Sequence, residues 1–564
     1  MERVITTGEQ NFSYLREHNY FYIDKTNFIK EWWLGGDRAT LITRPRRFGK
    51  TLMLDTVKTF FSPEFAGRSD LFAGLEIWQD EELRKLQGTI PVIFLSFARI
   101  NDDKYSDIIY RIKANLASIY GSFSSRIDVN AIPQSEKELF TSVHVSMSDA
   151  VAQDSLHYLC KFVTIQRKIK PIILLDEYDT PLHAAWMNKY WDQLVNFMRG
   201  FFNATFKDNP WIDRCLISGI TQVAQESIFS DLNNLEVATI TSELYTDCFG
   251  FTESEVFAAM DEYGLNAKEK VKQWYDGYIF GEQREIYNPW SIIKYLKRGK
   301  FDNYWANTSS NALVGELIAH GNIQIKKDIE ILLQGQSIFT KLDEHIVFSQ
   351  LYKNNQTVWS LLLAAGYVKP ISYIQEKDLY EIILTNLEAK ITIETKIAEW
   401  FSDVSMNQNE FNIALLNNNL DDMNESMTNI VENVFSYFDT GKNQAENFYH
   451  AFILGLIINM KDRYTIRSNR QSGLGRYDIC MFPKHQDDKG IVIEFKVNKN
   501  KQEKDLQATC TNALQQIKEK KYINELLSHN VKRNNIYIYG FAFNKQEVLI
   551  CGGLEANINL SNTK

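Results

Sequence analysis

Cysteine is scarce and scattered in this chain. Six occur in 564 residues (160, 215, 248, 480, 510 and 551) and no C-x-x-C pair is present. Neither a zinc site nor a disulfide framework is expected, and the thiols read as reduced and mostly buried. Nowhere do eighteen apolar residues run uninterrupted, which excludes a transmembrane helix. The opening residues, Met-Glu-Arg-Val-Ile-Thr-Thr-Gly-Glu, lack the architecture of a secretory signal. Collagen-like, coiled-coil and solenoid repeats are missing. A cytoplasmic, soluble protein without a membrane partner is the expectation. A surplus of positive charge is missing too: 62 Lys and Arg stand against 71 Asp and Glu, a net charge of −9. That balance argues against a protein that coats nucleic acid.

What is present is the composition of a globular protein, 44% hydrophobic and 24% charged. The length is too great for one ordinary core, so about two to four domains are expected. Charge is uneven. Val431 to Lys564 carries 19 Lys and Arg against 14 Asp and Glu, while the rest carries 43 against 57.

Near the N-terminus, Ala39-Thr40-Leu41-Ile42-Thr43 reads as a strand. The loop Arg44-Pro45-Arg46-Arg47-Phe48-Gly49-Lys50-Thr51 follows, then an amphipathic helix from Leu52 to Phe61. A strand, a loop ending in Gly-Lys-Thr and a helix form a phosphate-binding arrangement. Backbone N–H groups at Gly49 and the helix N-terminus face the phosphates, Lys50 reaches the β/γ-phosphates of ATP, and Thr51 ligates Mg²⁺. Arg44 departs from the general pattern by standing where a first glycine is expected. A partner motif lies about 125 residues on: the apolar run Pro171 to Leu175 ends in Asp176-Glu177. Asp176 would reach the Mg²⁺ shell and Glu177 would activate the attacking water. Thr89 to Ser96 and Arg214 to Thr221 read as further strands of the same parallel sheet. Ser218 or Thr221 would sense the γ-phosphate, or serve as a simple turn hydroxyl.

Toward the C-terminus, Gly473-Leu474-Gly475-Arg476-Tyr477-Asp478 precedes Ile491-Val492-Ile493-Glu494-Phe495-Lys496-Val497. These read as two strands joined by a polar turn from Pro483 to Gly490. Strand alternation sets Glu494 and Lys496 on one face, with Ile493, Phe495 and Val497 on the other. Asp478 comes near them if the strands pair. A surface ion pair explains most E-x-K pairs, but a charge within an apolar strand needs a reason. Two carboxylates and a lysine suit phosphodiester hydrolysis: Asp478 and Glu494 hold Mg²⁺ and Lys496 steadies the nucleophile. Lys461, Arg463, Arg467, Arg470 and Arg476 lie just ahead and would either grip substrate phosphates or form a solvated basic loop.

The region from roughly Glu446 to Gly553 resembles the PD-(D/E)XK nuclease superfamily, in the branch fused to AAA-ATPase-like proteins. The resemblance is carried by Glu446-Asn447-Phe448-Tyr449-His450, by Ser468 to Asp478, by Glu494-Phe495-Lys496, and by Ala513-Leu514-Gln515-Gln516-Ile517 with Tyr522. It implies that Asp478 and Glu494 are metal ligands, Lys496 the catalytic lysine, and Glu446 and Gln516 supporting residues. The N-terminal half resembles the accompanying AAA-ATPase-like domain, through Tyr22-Ile23-Asp24-Lys25-Thr26, the Arg-Pro-Arg-Arg-Phe-Gly-Lys-Thr loop, Leu175 to Leu182 and Gly219 to Leu235. In that family the Arg-Pro-Arg-Arg loop is usual, so Arg44 ceases to be a defect. Arg46 and Arg47 would contact phosphates or act toward a neighbouring subunit, and a homo-oligomer is among the expectations.

The expected fold class is α/β: residues 1–250 as a P-loop AAA-type parallel sheet, 251–430 as a helical, winged-helix-like lid or connector, and 431–564 as a restriction-endonuclease-like α/β domain. Asn288 and Pro289 mark a helix start. The aromatics around Trp274 and Trp290 read as core rather than as base-stacking residues, and Met406 to Glu425 as a flexible joint. The function implied is an ATP-binding and hydrolysing, Mg²⁺-dependent nuclease, with DNA favoured over RNA, serving defence against foreign DNA or repair. The alternatives are a nucleotide-dependent switch or scaffold that binds without cutting, and a signalling ATPase with protein partners.

Overall fold

The structure is a computed structural model. It describes residues 3–124, 127–128, 132–223, 228–229, 234–305, 315, 323–343, 345–346, 354–404, 408–435, 453, 456–457, 460, 462–472, 475–485, 488–498, 506–544 and 547–558. The chain divides into two compact units, Met1–Val314 with Ser337–Thr392, and Gly315–Gln336 with Ile393–Lys564.

The first unit is built on five parallel strands: β1 (Ala39–Thr43), β2 (Val92–Ser96), β3 (Ile172–Asp176), β4 (Cys215–Gly219) and β5 (Leu235–Ala238). Their order is β2-β3-β4-β1-β5. All five residues of β1, β3 and β4 are buried, as expected of parallel strands covered by helices on both faces. Four of the strands match the apolar runs expected from sequence. The fifth, Leu-Glu-Val-Ala, is too short and mixed to be read as one.

Helix α1 (Lys50–Phe61) follows β1 directly, with Gly49 as its N-cap at φ 82°. Helix α2 (Pro289–Arg298) starts as expected: Asn288 Oδ1 accepts the amides of Trp290 and Ser291, and Pro289 holds the first position. Around it, the segment beyond residue 250 also contains two small antiparallel sheets. One joins Phe251–Thr252, Tyr278–Phe280 and Gln283–Tyr287; the other joins Ile338–Thr340, Val368–Ile374 and Leu379–Leu384.

The second unit holds a mixed five-stranded sheet in sequential order: β6 (Tyr464–Ser472), β7 (Gly475–Pro483), β8 (Gly490–Val497), β9 (Ile536–Asn544) and β10 (Glu547–Leu554). Only β8 and β9 run parallel. Their connection therefore needs a crossover, supplied by helix α3 (Leu506–Glu519) and a short helix at Asn524–Ser528. One sheet face, with Ile491, Ile493 and Phe495, packs with Phe411, Leu415, Met423, Met427, Ile453 and Leu456. The other, with Val492, packs against Leu514 and Ile517 of α3.

Two expectations are corrected here. Residues 408–425 are no flexible joint: Gln408–Asn417 and Leu420–Phe435 are helices, and Phe411, Leu415, Met423 and Met427 are completely excluded from solvent in the sheet core. The Asn and Asp residues that signalled a loop lie mostly on the outer faces of these helices. The six cysteines are not all reduced thiols either. Cys510 on α3 and Cys551 on β10 are paired as a disulfide, with Cα atoms 6.2 Å apart, while Cys160, Cys215, Cys248 and Cys480 are free and buried. Helix-on-sheet packing brings together positions 41 residues apart, which spacing alone did not announce.

Close approach of α3 to the sheet depends on Gly540, where a Cβ would meet the Cys510 carbonyl oxygen at 2.6 Å and the Ala513 Cβ at 3.0 Å. Gly540→Ala is expected to destabilise the second unit by about 1–3 kcal/mol, the usual range for overpacking, measurable by chemical denaturation.

Candidate functional site

Two groups of polar side chains stand out, one in each unit: the first at strand ends, the second where the pairing of β7 with β8 stops. In the first unit the centre is Asp176, the last residue of β3 and wholly buried. Three hydroxyls donate to its carboxylate: Thr51 to Oδ2 at 3.0 Å, Ser96 to Oδ2 at 3.3 Å and Ser218 to Oδ1 at 2.7 Å. The first comes from α1, the others from the ends of β2 and β4. Glu177 follows in a left-handed backbone conformation, φ 51°. Its amide donates to Ser218 Oγ at 3.3 Å and its Oε2 accepts from Thr180 Oγ1 at 3.0 Å. Burial, reinforced by Asp176, raises the Glu177 pKa above the ordinary carboxylate value. Asp179 Oδ2 accepts the amides of Ile220 and Thr221 and the Thr221 hydroxyl, at 2.8, 2.9 and 3.0 Å. These bonds lock the end of β3 to the end of β4.

The loop between β1 and α1 is shaped from within. Arg44 is wholly buried, and its guanidinium donates to the carbonyls of Thr43, Ala238, Thr239, Leu244 and Tyr245. It also lies 4.6 Å from the Phe280 ring centroid. Arg44 is therefore the brace that ties this loop to the segment after β5. Lys50 Nζ donates to the carbonyls of Arg44 and Pro45 at 2.8 and 2.9 Å. Burial lowers its pKa to about 8, against the opposing pull of Glu177, Asp179 and Asp176. Burial lowers the Arg46 pKa too, with Asp179 and Glu177 acting the other way. Arg47, at φ 67°, holds its guanidinium 4.4 Å from the Trp290 ring centroid. Asn288 Nδ2 donates to the Arg46 carbonyl at 3.3 Å. A cavity of about 380 Å³ adjoins the loop, lined by Arg46, Gly49, Lys50, Thr51, Glu177 and Trp290 among others.

In the second unit Glu494 lies on the β8 face covered by α3 and is 2% exposed. Gln516, from α3, donates its amide to Glu494 Oε1 and, at 3.2 Å, to the Tyr522 hydroxyl. Lys496 Nζ stands 3.9 Å from Glu494 Oε1. Asp478 comes from the neighbouring strand β7, where Ile479 faces Ile493 across the pair. Its Oδ2 accepts the amide of Phe495, the residue between Glu494 and Lys496, at 2.8 Å. Oxygen-only donor sets such as Asp478 with Glu494, or Thr51 with Asp176, suit a hard cation such as Mg²⁺.

Comparison with known families separates the same two regions. A family model described as a predicted AAA-ATPase matches residues 6–229, and one for the PD-(D/E)XK nuclease superfamily matches residues 444–552. The chain joins a predicted AAA-ATPase domain to a PD-(D/E)XK nuclease superfamily domain. It is also similar to an uncharacterized protein in the vnfD 5' region of Azotobacter chroococcum mcd 1, 23% identical over 398 residues, which cover 68% of each chain.

Within the AAA-ATPase domain, Gly49, Lys50, Thr51, Asp176, Glu177, Ser218 and Arg46 gather around one strand end and loop, while Arg47 turns to Trp290. In the nuclease-superfamily domain, Asp478, Glu494, Lys496 and Gln516 gather at β7, β8 and α3. Glu446 lies outside the described residues, as do Lys461 and the side chains of Arg470 and Arg476. Arg463 and Arg467 are each engaged by a carboxylate, Asp488 at 2.8 Å and Glu525 at 2.9 Å. Sequence reasoning gave no site role to Ser96 or Asp179, and read Asn288 only as a helix cap. Ser96 carried a signal, as a hydroxyl ending an apolar strand in the manner of Ser218, whereas Asp179 carried none. Among the aromatics, Tyr275, Tyr287 and Tyr295 are core as expected, and Trp290, partly buried, packs against this core while also lining the cavity. No helix among the described residues is long and apolar enough to cross a membrane.

Two predictions follow from the loop. Arg44→Ala removes a buried donor to five carbonyls and should cost about 3 kcal/mol or more of stability, read by thermal or urea unfolding, whereas Arg47→Ala should cost far less. The Lys50 ammonium is present below a pKa of about 8 and lost above it. Polyphosphate affinity should thus hold steady below that pH and fall by roughly tenfold per unit above it, which calorimetric titration across this range will test.

Proposed function

We propose that this chain is an ATP-binding and hydrolysing, Mg²⁺-dependent nuclease that cleaves DNA phosphodiester bonds. The observation that carries the reading is the seating of Asp478 on the amide between Glu494 and Lys496, at 2.8 Å. It sets Asp478 beside the Glu494–Lys496 stretch where the β7–β8 pairing stops, in the domain matched to the nuclease superfamily. The meeting of Thr51 and Asp176, 125 residues apart in sequence, supports the nucleotide half.

The division of labour we infer runs along the chain: residues 1–250 for nucleotide, 251–430 as lid and connector, and 431–564 for cutting. In the first part Gly49 opens the loop to phosphate, Lys50 neutralises β/γ-phosphate charge, and Thr51 and Asp176 hold the cation. Glu177 takes a proton from the attacking water, while Ser218 keeps Asp176 and Glu177 in register. Arg46 and Arg47 add positive charge beside the phosphates. In the last part Asp478 and Glu494 hold the metal, Lys496 steadies the nucleophile and developing charge, and Gln516 orients Glu494, with Glu446 in support. Magnesium, when bound at such a site, lowers the pKa of its water and offsets phosphoryl charge. Cytoplasmic location, a homo-oligomeric assembly, and a role in defence against foreign DNA or in repair complete the proposal.

The engagement of Arg463 and Arg467 by carboxylates favours one competing reading, a nucleotide-dependent switch that binds without cutting. Plasmid, linear and single-stranded DNA incubated with Mg²⁺, with and without ATP, separate the two. We expect cutting that changes with ATP, vanishes in Glu494→Ala and Asp478→Ala, and falls about 10- to 100-fold in Gln516→Ala, as for residues that orient a metal ligand. Equal cutting by wild type and Glu494→Ala would sink the nuclease assignment, and an absence of cutting on DNA and RNA alike would favour the switch.

A further inference from the structure

The cavity beside the phosphate loop is larger than phosphates alone require, and its lining divides by chemistry. Lys50, Thr51 and Glu177 supply charge and hydroxyl groups; Phe21, Met53, Phe251, Ile293 and Trp290 supply apolar surface. A pocket of about 380 Å³ with that division suits an amphiphilic small molecule, with a polyanionic tail and a flat, weakly polar head.

Trp290 and Ile293 belong to α2, which lies beyond residue 229 and before residue 444, outside both family-matched segments. Yet α2 is bound to the loop at two points. Asn288, its N-cap, donates to the Arg46 carbonyl at 3.3 Å, and the Arg47 guanidinium lies 4.4 Å from the Trp290 ring centroid. The orientation of Trp290 is held as well. Its indole N–H donates to the Tyr304 carbonyl at 3.1 Å, and Lys294 Nζ lies 4.6 Å from its ring centroid. With the N–H committed and the Arg47 and Lys294 cations over the ring, Trp290 lines the cavity with apolar aromatic surface instead of a hydrogen bond. Such apolar aromatic surface is a fit partner for the flat, weakly polar face or edge of a nucleobase.

We propose that α2 builds the nucleoside half of the nucleotide site, with Trp290 as the wall against the purine base and Asn288 as the residue that docks this wall on the phosphate loop. The inference rests on the nucleotide-binding reading above and adds the residues that distinguish a nucleotide from a bare polyphosphate.

The test compares ATP with inorganic tripolyphosphate, both as magnesium salts, by equilibrium binding to the full chain. Wild type should bind ATP more tightly than tripolyphosphate. Trp290→Ala should weaken ATP by about tenfold or more, the scale of a lost base–aromatic contact, and leave tripolyphosphate unchanged. Trp290→Phe should recover most of the ATP affinity, and it keeps the test open if the alanine variant unfolds. Equal affinity of wild type for the two ligands overturns this inference while sparing the phosphate loop. So does an equal loss of both in Trp290→Ala, which would mean that Trp290 acts through Arg47 and the loop. Lys50→Ala separates the two levels: it should weaken both ligands, and wild type that binds neither would remove the nucleotide reading itself.

Discussion

A carboxylate cannot be buried at no cost, and the first unit is organised around one that is. Asp176 is wholly excluded from solvent, and hydroxyls from Thr51, Ser96 and Ser218 satisfy it. Those donors stand at the start of α1 and the ends of β2 and β4, so meeting the need of one side chain fixes how these elements converge. Asp179 repeats the device one turn later by collecting two amides and a hydroxyl from residues 220 and 221. The strand-end geometry beside the cavity is thus a consequence of polar satisfaction at least as much as of hydrophobic packing.

The same constraint explains two residues that look out of place. Arg44 stands where a glycine is common in phosphate-binding loops. Here its guanidinium closes against carbonyls from three stretches of chain, while the backbone freedom is supplied by Gly49, at φ 82° in otherwise open space. In the second unit, Glu494 sits on the side of β8 covered by α3, where a charge needs a partner. Gln516 provides it from the covering helix, and Tyr522 engages the same amide. Asp478 is held by a backbone amide instead, which couples two neighbouring strands at the point where their side chains meet.

Much of this was legible in the chain itself. Four of the five parallel strands stand out as apolar runs, because strands buried on both faces carry no polar alternation. Glu494 and Lys496 share a face by strand period alone, and Asn288-Pro289 announces a helix start. The reading failed where composition and environment part company. The Asn- and Asp-rich stretch from 408 to 425 looked like a joint, yet Phe411 and Leu415, one helical turn apart, and Met423 on the next helix fill the core. β5 is four residues long with a central Glu236, so only its pairing with β1 makes it a strand. Cys510 and Cys551 met only because α3 lies across the sheet.

By itself the sequence determined the local chemistry: which residues carry carboxylates, ammonium groups and hydroxyls, and the periods that set them on strand faces and helix starts. Those are short-range properties, governed by backbone geometry over a few residues. Only the tertiary structure decided which distant donors complete each buried charge. Ser96 reached Asp176, Gln516 reached Glu494, and Asn288 and Trp290 reached the loop between β1 and α1. Such partnerships follow from strand order and helix docking, which are set by burying whole faces and not by any spacing along the chain.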